Sequence, residues 1–421
     1  MVLRVLTPPP PSDWRRVLAV LFAAQFLTSV GFSTIFPFLP NYVEYLGSAT
    51  GLPILVLVTA VFSVQAIAMM IASPIWGGLA DRFGRKRMVE RAMYAGAVLI
   101  LLMAFVRSAE ELVALRLVQG LTTGVVAAAT SMVASVAPRE RLGYAMGVMQ
   151  TALWSGVSIG PVIGGLLEYF FGYRLAFVIT AVLLLTGGIL VTTMVREAFT
   201  APARERGGVR GFADGLSHVV RTPGVATIFV VRFLAWSGRT MIVPFLPLFV
   251  AALMAGSPAS GLVTGLAIGG SSFAGTLTSI TLGKLGDRIG HRTVLIGGAI
   301  ATGLLYLPLS IVTEPWQLVA LYTLTGGAIG GVLPALSAML AQATDPKEAG
   351  AVYGLDNAVG AGARAVSPII GGALVALIAA PGLAPTGDDY RVVFLAAAAF
   401  FTLTVLLVLW RVPHRAPDAV R

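Results

Sequence analysis

The chain has 421 residues, 57% hydrophobic and 11% charged, with a formal net charge of +10 and a mean hydropathy of +0.87. A soluble domain carries roughly 25% charged residues, so this composition excludes a soluble globular fold and describes a polytopic membrane protein. With no cysteine and three histidines, disulfides and thiolate metal sites are excluded and a catalytic metal centre lacks ligands; no cofactor is expected.

In chain order, residues 1–16 read as a short cytoplasmic arm. Pro8 to Pro11 interrupt any early apolar region, and the first apolar run is too long for the core of a signal peptide. About twelve helical spans of near-spanning length follow. They lie near 17–40, 53–77, 88–106, 112–136, 142–166, 175–195, 223–250, 261–282, 293–312, 317–341, 350–377 and 391–411. The segment 196–222 is the one long polar stretch, rich in Arg, Gly and Ala, and reads as a cytoplasmic linker between two six-helix bundles at 17–195 and 223–411. Residues 412–421 form a tail. If the N-terminus is placed inside, most of the 29 Lys and Arg fall in inner segments, and the outer ones hold only Arg107, Arg174 and Arg391. That asymmetry puts both termini in the cytoplasm. Because the cations sit in short loops on one side, they indicate a bilayer rather than nucleic acid.

The two halves repeat each other. Pro37-Phe38-Leu39-Pro40 recurs as Pro244-Phe245-Leu246-Pro247, Leu112-Val113-Ala114-Leu115 as Leu318-Val319-Ala320-Leu321, and Pro161-Val162-Ile163-Gly164-Gly165 as Pro368-Ile369-Ile370-Gly371-Gly372. The near-constant offset describes a duplicated unit in parallel orientation, a repeat type found in transporters. Between spans 2 and 3, residues Gly77 to Val89 combine Asp81 with Arg82, Arg85, Lys86 and Arg87, and Gly84 suits a tight turn through positive φ. A weaker copy follows span 8, from Gly283 to Arg292, with Asp287, Arg288 and Gly290 in place.

At these residues the chain resembles the major facilitator superfamily over almost its whole length. Gly77, Leu79, Ala80, Asp81, Arg82, Gly84, Arg85 and Lys86 look like the loop 2–3 motif of that family. Leu115-Arg116-x-x-Gln119-Gly120 looks like its span 4 motif, whose buried arginine is associated with proton transfer. Gly147, Gly156, Gly160, Pro161, Gly164 and Gly165 follow the span 5 motif typical of twelve-span drug–proton antiporters. The resemblance implies the major facilitator fold and alternating access about a cavity lined by spans 1, 4, 7 and 10. An enzyme is not expected, for lack of a nucleophile–base or metal constellation. Span 1 departs from many cation-drug exporters in lacking a central acid; Gln25, Thr28, Ser33 and Thr34 are its polar groups.

Ionisable groups within spans are expensive and by default functional. Arg239, Arg232 and Arg364 are cavity candidates, with Gln25, Phe32 and Trp236. For Arg232 the alternative is snorkelling or pairing with carbonyls, and for Arg364 it is stabilising a helix kinked at Pro368. Arg116 is assigned to proton coupling, against a bridge to Glu110 or Glu111 or a partner within the bundle. Asp356, the one acid well inside a predicted span, either carries a proton or bridges to Arg82 or Arg85 in a cytoplasmic gate. Gly77, Asp81, Arg82, Gly84, Arg85, Lys86, Asp287, Arg288 and Gly290 make up that gate, the alternative being a turn and orientation signal. The expected activity is proton-coupled export of small drug-like amphipathic compounds by a monomer in a plasma or inner membrane. An organic-anion or metabolite carrier and a non-transporting membrane sensor are the alternatives.

Overall fold

In hydrocarbon no water satisfies backbone N–H and C=O groups, so a spanning chain must bond them internally. The computed structural model describes residues 14–122, 124–195, 224–344, 349–380 and 383–411, and all regular elements there are helical. The linker 196–222 and the tail 412–421 lie outside the described residues, as do the side chains of Gly77, Asp81 and Arg82.

In the N-terminal half, α1 (Trp14–Thr34) and α2 (Leu39–Leu46) make span 1, α3 (Ile54–Phe83) span 2 and α4 (Arg85–Met103) span 3. Span 4 is α5 (Ala109–Thr122) plus α6 (Val125–Val136), and α7 (Leu142–Met194) carries spans 5 and 6, divided at Gly172 with φ 71. In the C-terminal half, α8 (Val225–Thr240) and α9 (Leu246–Leu253) make span 7, α10 (Ser260–Ile289) span 8 and α11 (His291–Leu309) span 9. Span 10 is α12 (Pro315–Ile329) plus α13 (Val332–Ala343), span 11 is α14 (Ala349–Ile378) and span 12 is α15 (Val392–Arg411).

The duplication seen in the sequence is also a duplication of backbone breaks. Spans 1 and 7 stop at Thr34 and Thr240 and restart at Leu39-Pro40 and Leu246-Pro247. Proline is at home there, since the first-turn N–H groups have no intrahelical partner to lose. Span 4 is interrupted as well, at Gly124 (φ 140), whereas span 10 is divided at Gly330-Gly331 with its backbone still in the right-handed helical region. The divided spans are therefore 1, 4, 7 and 10. Non-helical backbone at membrane depth is tolerated only against protein or a wet cavity, so the break in span 4 and those after Thr34 and Thr240 belong to the interior path. The basic loops repeat too: Gly84 (φ 95, ψ 148) and Gly290 (φ 92, ψ 134) share one glycine-only conformation, and each starts the next helix.

Close helix packing is built from small residues. Gly156, Gly160 and Gly164 lie against Ser29, Ser33 and Thr34 of span 1, and Ser33 donates to the Gly156 carbonyl at 3.1 Å. The other face of span 5 meets span 8, where Gly165 rests on Gly261 and Leu262, Gly265 on Pro161, and Gly269 on Val162 and Ser158. Spans 2 and 11 meet at Thr59 and Gly372, and the tips α2 and α9 touch. All of these contacts between halves lie toward the face opposite the basic loops. At the basic face, α6 and α13 find their main packing partners within their own halves. Large apolar side chains such as Leu377 (80% exposed) and Trp410 (74% exposed) point outward, as lipid contact requires.

Candidate functional site

Span 7 carries two arginines, and the structure gives them different partners. Arg232, 8% exposed, forms an ion pair through Nε with Asp356 of span 11 and donates from Nη1 to Ser337 Oγ of span 10 at 3.0 Å. One guanidinium thus ties three spans of the C-terminal half together. Asp356 keeps 11% of its side chain exposed. Its ion-pair partner is therefore a residue of its own half. The pair forms because spans 7 and 11 are neighbours within one bundle.

Arg239 sits in the last turn before the span 7 break. With Val243, Ser271, Tyr306, Tyr322 and Thr325 it lines a cavity of about 60 Å³ between spans 7, 8, 9 and 10. A water needs roughly 10–15 Å³ by this measure, so the cavity holds a few waters or one small polar group. The Arg239 charge acts on both tyrosine hydroxyls. One turn earlier, Trp236 is covered by Arg364 of span 11, whose guanidinium carbon lies 5.4 Å from the ring centroid. Cation–π attraction of this kind is strengthened by desolvation, and it gives Arg364 a partner on span 7 above Pro368.

In the N-terminal half, Arg116 is 1% exposed. It donates from Nη1 to Gln119 Oε1 at 2.7 Å and from Nε to the Val61 carbonyl at 3.3 Å, and it lies 6.0 Å from the Phe62 ring. Its Nη2 is buried without a partner among the described residues. The loop acids are occupied elsewhere. Glu111 accepts from the Arg107 N–H at 2.8 Å. Glu110 accepts from the Ala49 N–H and from Ser48 and Thr50, and these donors hold its carboxyl well below the usual range. That loop contact is at full strength above the ordinary glutamate pKa of about 4.3 and weakens as pH falls below it.

Two cavity candidates are placed otherwise. Gln25 is 1% exposed and donates to Ser29 Oγ of its own helix at 3.0 Å, and Phe32 turns its ring onto Gly96 of span 3. Both serve packing within the N-terminal half, because Gly96 leaves room that the ring fills. Two of the gate residues have local partners. Lys86 pairs with Glu90 at 3.4 Å and donates to the Thr192 carbonyl of span 6 at 3.1 Å. Asp287 faces His291 at 3.4 Å, and Arg288 is exposed. Of the span 5 glycines, Gly147 meets nothing within 4 Å.

Several working parts escaped sequence reasoning. Gly261, Gly265 and Gly269 repeat every fourth residue along span 8, a small-residue stripe that could have been read as a packing face. Arg91 stacks 3.2 Å from the Trp76 ring centroid, and Trp76 donates to the Leu121 carbonyl at 2.6 Å, bracing the span 4 break. Glu168, at the end of span 5, has a buried carboxylate oxygen without a partner among the described residues.

A family model described as Major Facilitator Superfamily matches residues 21–255 and again 228–421. Multidrug resistance protein MdtG of Serratia proteamaculans strain 568 is 36% identical over 365 residues, covering 86% of this chain and 88% of that protein. The MdtG of Citrobacter koseri is 35% identical over 367 residues, covering 87% and 90%. Among solved structures, the nucleoside transporter NupG superimposes with a TM-score of 0.77 at 16% identity, covering 95% of this chain and all of that one (100%). The human organic anion transporter MFSD10 does so with a TM-score of 0.64 at 20% identity, covering 94% and 100%. The chain belongs to the major facilitator superfamily: it is a multi-pass secondary transporter, not an enzyme, with its helices in two pseudo-symmetric halves.

Proposed function

We propose that this transporter exports drug-like amphipathic organic compounds in exchange for protons, as a monomer, with its basic loops and both termini in the cytoplasm. The relatives named for multidrug resistance support the substrate class, and the distribution of cations supports the orientation. With that orientation, the separated basic face makes this an inward-facing conformation.

The observation that carries proton coupling is the Arg232–Asp356 pair. A carboxylate inside a span, partly reached by water and held by a single arginine, has two states of different charge. Ionised, it holds Arg232 and with it spans 7 and 11. When it takes a proton, its charge is gone, Arg232 is released, and the C-terminal half loses that tie. Exchange follows if substrate is favoured in the ionised form and the return step in the protonated form, since a ligand shifts an equilibrium only through differential affinity. Arg116 acts electrostatically in the other half, because arginine does not deprotonate in proteins. Trp236 and Arg364 offer a flat, polarisable surface on the C-terminal side of the path. Asp81, Arg82 and Arg85 close the cytoplasmic face in the opposite conformation.

Dye accumulation in everted membrane vesicles tests this. A cationic amphipathic dye is expected to accumulate when the interior is acidified and to leak out when a protonophore is added. Accumulation indifferent to the protonophore contradicts proton exchange. A second reading, an organic-anion carrier, is favoured by one observation: the Arg239 cation lines a small cavity together with Tyr306 and Tyr322. Transport of an anionic dye but not a cationic one, abolished by Arg239→Ala, would establish it.

A further inference from the structure

Glu168 takes no part in the path described above. It lies four residues before the Gly172 break, at the face where the two halves are sealed. Its carboxylate lies over Gly261 in the first turn of span 8, and an alanine methyl at 261 would occupy the space of Oε2. That oxygen is buried and has no hydrogen-bond partner among the described residues. The rest of the seam is equally tight, since Gly165 of the same span meets Gly261 and Leu262, and Pro161 meets Gly265. The half-buried Glu168 therefore has one carboxylate oxygen caught between the halves, in a seam that must part if this face is to open.

The charges around it are few. Span 8 presents Gly261 and Leu262, which carry none. From span 6, Tyr173 is within electrostatic reach of Glu168, and also of Glu44 and Tyr45 on α2. Glu44 in turn acts on Tyr390 at the start of span 12, across the two halves. Arg174 acts on Tyr42, and no ion pair between a cation and Glu168 is formed among the described residues. An ionised carboxylate shut in such a seam is costly, and a neutral carboxyl much less so. Hydration removes the difference when the seam opens.

We propose that Glu168 is a second proton-linked group of the transport cycle: its carboxylate takes one proton from external water as spans 5 and 8 close, and returns it when they part. The proposal rests on the proton-exchange reading above and deepens it. External acid then favours closure of the outer face after substrate has left, which drives the carrier back toward the cytoplasmic side. The reaction is a simple association, carboxylate plus proton giving carboxyl, with no other bond made or broken.

The chain has no cysteine, so a spin-label pair can be placed without background. Ala49→Cys and Leu383→Cys put labels on exposed loops of the two halves at this face. Distances are measured by electron–electron resonance on the full chain in nanodiscs between pH 5 and 9. The open-to-closed ratio of the labelled parent is expected to rise with pH, by up to about tenfold per pH unit for one linked proton. Glu168→Gln is expected to stay closed and lose the dependence, while Glu168→Asp keeps it with a shifted midpoint. Asp356→Asn is expected to keep the pH dependence of this face. Glu168→Gln titrating like the parent, or a dependence that disappears in Asp356→Asn instead, overturns the proposal. Dye export by the parent in the same nanodisc preparation, reconstituted into vesicles, separates the two readings. If the parent ignores a pH gradient, the exchange reading fails. If it follows the gradient while Glu168→Gln closes with the parent's pH profile, only the Glu168 proposal fails.

Discussion

A buried arginine needs partners for its charge, and three of them here have found different ones: Arg232 a carboxylate, Arg116 a side-chain amide and a carbonyl, Arg364 an indole ring. Removing one member of a buried ion pair costs about 3–5 kcal/mol, because the other charge is left without compensation, whereas replacing both by apolar groups is often neutral. Arg232→Met alone is therefore expected to destabilise the protein by about 3–5 kcal/mol, and Arg232→Met with Asp356→Leu to regain most of that while remaining inactive. Denaturation midpoints in detergent measured beside transport check this; equal stability of single and double variants contradicts it. Arg116→Lys is expected to keep the fold but lose transport, since an ammonium cannot fork between Gln119 and the Val61 carbonyl. Arg116 was legible from its local motif. The partnership of Arg232 with Asp356 was not, because sequence spacing shows which residues share a helix face but not which distant helix lies opposite. The contacts of Gln25 with Ser29 and of Phe32 with Gly96 are hidden in the sequence for the same reason, since a polar or aromatic residue on span 1 has more than one face to choose from.

At the scale of the helix, glycine does two separate jobs. Gly84 and Gly290 adopt positive φ, so alanine at either is expected to cost about 1–3 kcal/mol through backbone strain, read as a lower melting temperature. Gly165 and Gly265 instead allow backbones of opposite halves to touch: an added Cβ at either meets a carbonyl of the other half, at Gly261 or Pro161. Gly165→Val is therefore expected to fold, fail to transport, and hold the Ala49–Leu383 label pair farther apart than in the parent. Gly147→Ala, in the same motif but with nothing within 4 Å, is expected to transport normally. Loss of activity there would show that the motif acts through more than packing. The duplicated Pro-Phe-Leu-Pro was visible in the sequence as a repeat, yet it was read inside continuous spans. Its position after Thr34 and Thr240 makes it a restart. The breaks at Gly124 and Gly330-Gly331 left no comparable trace, because glycine is ordinary in membrane helices.

The whole molecule is governed by its duplication. Two copies of a broken-helix unit meet along spans 5 and 8 and along spans 2 and 11 near one face, while at the other α6 and α13 pack mainly within their own halves. The apolar runs and the two halves could be read from composition and spacing. Which face is shut could not, since both conformations are made by one sequence. Gradient-driven transport in proteoliposomes, comparing the parent with Asp356→Asn, tests the account most directly. The parent is expected to accumulate a cationic dye against its gradient when a pH difference is imposed in the exporting sense. Asp356→Asn is expected to equilibrate the dye without accumulating it. Accumulation by Asp356→Asn at the parent's level, or no response of the parent to the pH difference, would contradict proton exchange through this site.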